Sequence, residues 1–224
     1  LTCFILLAPC GCGDQVSSAD IEREIIMRAP ELIGPAEGYR AEIRGTAASG
    51  IGEISIVAVG VKPDPDLVVD PLRLTIKGLE FSKQPFHILR PGTATFSGRI
   101  SESAVNHFLR QQKRTGSGLL KNIRIEFKQG AARVTGSVSI LNVDIPLETT
   151  GSLQVADGIR LHYKIDKLRV GGVGVPPALP GLLTGLVNPL VDLSGLRFTP
   201  NITRVTLEPG AVTVSGTAAV AGLE

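Results

Sequence analysis

Hydrophobic and polar positions along the chain change their period several times, and each change marks an element. From Ser18 to Arg28 the spacing is helical. Ile21 and Ile25 share one face, Ser17 stands at the cap, and Asp20 and Glu22 occupy the first turn. After Pro35 the period becomes two. Arg40 to Thr46 alternates loosely, whereas Ile54 to Val61 is uncharged and apolar on both parities, which predicts a strand covered on both faces. Leu72, Leu74 and Ile76 alternate, and Leu79 and Phe81 continue on the opposite parity. A bulge is expected at the switch, Gly78. A strand over Thr93 to Ile100 leads into a second helix, Glu102 to Lys113. Ser101 is its cap, and Val105, Phe108 and Leu109 form its buried stripe.

The second half is more regular. Ile123, Ile125 and Phe127 alternate with Arg124, Glu126 and Lys128, and Val134, Val138 and Ile140 return after Gln129-Gly130. Ile159, Leu161, Tyr163 and Ile165 follow the hairpin signal Asp157-Gly158. The parity then changes again to Leu168 and Val170, so Asp166-Lys167 is a second bulge candidate. One hairpin design occurs twice: Ile125-x-Phe127-x-x-Gly130-Ala131-x-x-Val134-x-Gly136 and Val205-x-Leu207-x-x-Gly210-Ala211-x-x-Val214-x-Gly216. Long strands with repeated bulges bend and can curl around a core or a cavity.

Gly171 to Val191 contains no charged residue. Four prolines and five glycines argue against a membrane span, so the segment reads as a loop entering a short helix near Leu179 to Asn188. A helix without a charged face must be buried, oligomeric or against lipid. Plugging the sheet and lining a lipid cavity are both open to it.

Composition narrows the function. The chain of 224 residues is 43% hydrophobic and 20% charged, but only 4% aromatic, with no Trp and a formal charge of +2. A nucleic-acid interface, which needs a basic stripe and stacking rings, is not expected. Aliphatic interiors suit acyl chains, because burial of each methylene contributes about 0.8 kcal/mol without special ring geometry. The cysteines, Cys3, Cys10 and Cys12, all lie in the first dozen residues, so no disulfide staples the body. Residues 1–16 read as the remnant of a secretory signal, and residues 17–224 as one domain. Leu7-Ala8-Pro9-Cys10 resembles a lipobox, which makes Cys10 a candidate for lipidation. Ordinary cleavage near Gly13 and a Cys-x-Cys metal pair are the other readings.

Catalytic signatures are missing. His87, His107 and His162 have no metal-ligand spacing, and no HExxH, GxSxG, P-loop or dinucleotide fingerprint occurs. Asp64, Asp66 and Asp70 are interrupted by Pro63, Pro65 and Pro71, which breaks any calcium loop. Neither an enzyme nor a cofactor or metal is expected. Arg110, Lys113 and Arg114, with Lys121 and Arg124 beyond them, are the densest basic stretch, readable as a solvated face or as a contact for anionic headgroups.

Three stretches carry a family resemblance: Ile100-Ser101-Glu102-Ser103-Ala104-Val105-Asn106-His107-Phe108-Leu109, the Gly171-Gly172 to Pro176 turn with the apolar helix after it, and Asn188-Pro189-Leu190-Val191-Asp192-Leu193-Ser194 before the closing hairpin. Over roughly residues 18–222 the chain resembles the LmeA-like phospholipid-binding family of bacteria. The resemblance implies an α+β fold in which a long, curved, mainly antiparallel sheet wraps two or three helices, similar to tubular lipid-binding domains. It also implies phospholipid binding outside the cytoplasm, in the cell envelope or periplasm. The expected lining is Leu182, Leu183, Leu186, Val187 and Leu190, with Val105, Phe108 and Phe81, and weaker Phe86. Arg110, Lys113 and Arg114 are the expected headgroup contacts. Expected partners are phospholipid, a membrane surface and an envelope enzyme. Two competing readings are an envelope interaction module with a solid core, and an enzyme on envelope glycolipids.

Overall fold

A computed structural model describes residues 18–47, 50–83, 86–90, 92–111, 120–140, 143–171 and 179–219. Residues 1–16 and Cys10, Lys113 and Arg114 lie outside them. Three helices, α1 (Ser18–Leu32), α2 (Glu102–Gln111) and α3 (Leu179–Val187), accompany fourteen strands among the described residues. Strands β1 (Gly38–Ala47), β2 (Gly50–Val59), β5 (Leu72–Lys83), β7 (Thr93–Ser101), β14 (Ala211–Ala219) and β13 (Thr199–Glu208) form one sheet in that order, and β6 (Phe86–Arg90) pairs with β5. A second sheet runs β12 (Val191–Asp192), β11 (Arg160–Val170), β10 (Val143–Ala156), β9 (Ala131–Ile140), β8 (Leu120–Lys128). The short pair β3 (Val61–Asp64) and β4 (Leu67–Val69) stands apart. Every pairing is antiparallel. The result is an α+β domain with a curled half-barrel sheet.

The main core joins both sheets. Ile56, Leu74, Phe96, Ile100, Val212 and Val214 come from the first, and Ile125, Phe127, Leu161 and Tyr163 from the second. Phe96 and Phe198 pack with ring centres 5.5 Å apart. Each of these large apolar side chains contributes roughly 2 kcal/mol by leaving water.

Helix α2 forms as its caps predict. Ser101 Oγ accepts from the Ala104 N–H at 3.1 Å, and Ile100 and Val105 are both fully buried. Helix α1 runs one turn beyond the expected Arg28 and carries Pro30 in that last turn. The apolar run Ile54 to Val61 is not one doubly covered strand. Gly60, at φ +66°, ends β2 before β3 begins, and Val59 is 43% exposed. At Gly78 the chain adopts φ +70° while pairing with β2 continues unshifted from Glu53–Lys77 to Ile51–Leu79; the bulge falls at Glu80/Phe81, against β6.

The two hairpins of the repeated motif, β8–β9 and β13–β14, meet at their turns. Gly130 N–H donates to Leu207 O at 3.2 Å, and the equivalent Gly210 N–H donates to Phe127 O at 3.3 Å. Each hairpin has a bulge in its first strand, at Lys121/Arg124 and at Ile202/Arg204. The closing glycine of each motif lies across from that bulge. A Cβ on Gly216 would sit 1.9 Å from Asn201 O, with no flexible side chain to give way. Gly216→Val is expected to cost at least about 2 kcal/mol, read as a fall in Tm of about 5 °C or more in a thermal melt.

Candidate functional site

The inner face of the second sheet is shared: Phe127, Val134, Leu161 and Tyr163 belong to the main core, and the apolar rows continue beyond them. Inward-facing rows alternate with outward ones along each strand. On β10 the inward row includes Val143, Ile145 and Leu147, and on β9 it includes Val138. On β11 regular alternation past Ile165 would turn Lys167 and Arg169 inward. Instead the pairing shifts from Thr150–Lys167 to Gly151–Ile165, leaving Asp166 as an extra residue. That bulge turns Leu168 and Val170 inward and Lys167 and Arg169 out to solvent. The Asp166-Lys167 expectation is met, and its consequence is chemical: the end of β11 presents aliphatic side chains on one face and cations on the other.

A second apolar cluster forms there and meets the main core at Ile165. Val138, Leu147, Leu179 and Leu183 are buried in it, with Ile145, Ile165, Leu168 and Val170 half-buried against them. Val143, at the end of the β10 row, is 60% exposed. Helix α3 roofs the strip. Leu179, Leu183 and Val187, four residues apart, share one face; the first two enter this cluster and Val187 enters the main core.

The expected site residues are thus divided. Leu183 lies in the strip. Val105, Phe108, Val187 and Leu190 are packed in the main core. The side chains of Leu182, Leu186, Phe81 and Phe86 lie outside the described residues, and Arg110 is exposed at the end of α2. Val143, Ile145 and Leu147 read in the sequence as ordinary strand alternation, and Leu168 and Val170 only as the markers of a bulge. The parity change at Asp166-Lys167 was the available signal.

Two asparagines hold the edges of this sheet. Asn106 of α2 accepts from the Ile125 N–H and donates to Ile125 O, both at 2.8 Å. Asn188, after α3, accepts from the Tyr163 N–H at 2.6 Å and donates to Tyr163 O at 3.0 Å. Each side-chain amide takes the place of a neighbouring strand. Glu102 adds an acceptor for the Phe127 N–H at 3.0 Å.

The outer face is polar and paired. Lys121 binds Asp144 at 2.9 Å, and Arg133 binds Glu148 at 2.8 Å and Glu126 at 3.6 Å. The hydrogen bond from Arg133 holds Glu148 below the usual glutamate range, and that from Lys121, with one from Ser139, does the same for Asp144. Because these native values are lowered, the associated stability is present at neutral pH and is lost as pH falls through them. The pairs are exposed, so the effect is small. Arg133→Met is expected to make the decline of Tm on acidification shallower, measured from pH 6 down through the carboxylate range. Among the described residues no three of His, Cys, Asp or Glu group as a metal site, and no helix is long and apolar enough to cross a membrane. Asp64 Oδ1 accepts from the Asp66 N–H at 2.9 Å, closing a turn, and His107 is exposed.

A curled antiparallel sheet with an aliphatic concave strip and an uncharged helical roof defines an α+β domain of the curved-sheet kind. The chain belongs to the LmeA-like phospholipid-binding family, whose sequence model matches residues 50–217. Lipid binding is the property of that family, with phospholipid as its ligand. Neither a curated protein nor a solved structure matches the chain.

Proposed function

We propose that the protein binds phospholipid without catalysis, taking acyl chains onto the concave strip between β9, β10, β11 and α3, and carries or presents the lipid in the cell envelope after export. The observation that carries the reading is the second apolar cluster, which joins the main core only through the half-buried Ile165, with Val143, 60% exposed, at the end of the same β10 row. The main core is filled by its own side chains, Phe127 and Tyr163 among them, whereas the strip leaves Ile145, Leu168 and Val170 half-buried and Val143 exposed, aliphatic surface that an acyl chain would cover. Covering such a strip removes aliphatic surface from water, which drives uptake by roughly 25 cal/mol per Å². A phospholipid with a fluorescent acyl chain tests the reading. Emission should rise saturably on mixing with the protein, and natural phospholipid should compete. Absence of any saturable rise would leave the domain as an envelope interaction module.

A further inference from the structure

The bulge at Asp166 has a second product on the outer face of β11. Lys164, Lys167 and Arg169 are all exposed and face outward, spanning about 16 Å at the usual rise per residue. Cations elsewhere on this sheet are mostly engaged: Lys121 with Asp144, Lys128 with Glu126, Arg133 with Glu148, Arg160 with Asp192. Lys164 and Lys167 have no ion-pair partner among the described residues. Arg169 faces Glu148 across the strands, and that carboxylate is already bound to Arg133. Asp166 is the one anion between the three cations. Their strand is also bare on one side. β12 pairs with β11 at Arg160 and Leu161, and Asn188 covers Tyr163, so β11 from Lys164 onward is a sheet edge among the described residues. The opposite face of the same few residues lines the apolar strip through Ile165, Leu168 and Val170.

We propose that Lys164, Lys167 and Arg169 form a docking stripe for an anionic membrane surface, which sets the bare edge of β11, with the strip on its inner side, at the bilayer from which a lipid is drawn. The charge complementarity is direct: three outward cations on an edge strand stand against two carboxylates, Asp166 between them and Glu148, which Arg133 already binds. The Arg110 region is a different surface, at the end of α2. The purpose of the stripe rests on the groove reading, but the two fail separately.

The test is co-sedimentation of the full chain with vesicles of phosphatidylcholine alone or with a minor share of phosphatidylglycerol, combined with uptake of the fluorescent phospholipid. The variant K164Q/K167Q/R169Q is compared with R40Q/K62Q/R204Q, which removes the same number of exposed cations from other strands. Each cation close to an anionic surface is expected to contribute about fivefold, so the stripe variant should lose on the order of 100-fold in affinity for the phosphatidylglycerol vesicles. It should keep its Tm and its uptake of lipid from solution, and the control variant should bind as the wild type. A wild type indifferent to phosphatidylglycerol overturns the proposal. So does a stripe variant that still binds, or a control that loses as much. Stripe-dependent docking by a protein that takes up no lipid would keep the docking surface and remove the groove.

Discussion

Val143→Asp combined with Leu168→Asp is expected to reduce phospholipid uptake by about 100-fold or more while the Tm stays within a few degrees of wild type. Val143 is 60% exposed, so its carboxylate remains hydrated in the empty protein; Leu168 is half-buried against the second cluster, so its carboxylate keeps part of its water and accounts for the few degrees lost. They lose that water only when an acyl chain covers the strip, and desolvating an unpaired carboxylate costs several kcal/mol. The penalty therefore falls mainly on the bound state. Val143→Leu with Leu168→Met keeps the surface aliphatic and should retain uptake. Unchanged uptake in the aspartate variant would mean that the ligand does not lie on this face.

The largest expected effect on stability comes from Asn106. The residue is 6% exposed, and its side chain satisfies both backbone groups of Ile125, on the edge strand β8. Asn106→Ala leaves an N–H and a C=O buried without partners, at about 1–3 kcal/mol each. A loss of about 3 kcal/mol would lower Tm by about 6–12 °C for a domain of this size. Asn106→Asp should be no better, because a carboxylate cannot donate to Ile125 O and brings a buried charge. Asn188→Ala removes the equivalent pair at Tyr163, where burial is less complete, and should cost somewhat less. Denaturant melts of the three variants measure the order directly.

Local pattern carried much of the fold. The caps of α2, the alternation of β8 and β11 and the bulge at Asp166 follow from spacing alone, because each depends on neighbours a few residues apart. Asp157-Gly158 likewise forms its turn with both residues at positive φ, 53° and 71°. The family resemblance over residues 18–222 is borne out by the match over residues 50–217. What stayed hidden depends on distant partners. Asn106 and Asn188 stand inside stretches that carried the resemblance, yet their work is done on strands 19 and 25 residues away. Val105 and Phe108 look like candidate lining because their helix has one apolar stripe, but periodicity does not say what covers that stripe. The packing gives it to the main core. The break at Gly60 is hidden for a similar reason: an apolar run on both parities fits two strands in different sheets as well as one buried strand.

Native mass spectrometry of the protein purified without detergent, with lipid extraction of the same sample, shows whether the protein holds a natural phospholipid. A discrete added mass that extracts as phospholipid is expected, and it should be absent from the Val143→Asp, Leu168→Asp variant. Protein that emerges without added mass and takes up no phospholipid from vesicles would contradict phospholipid binding.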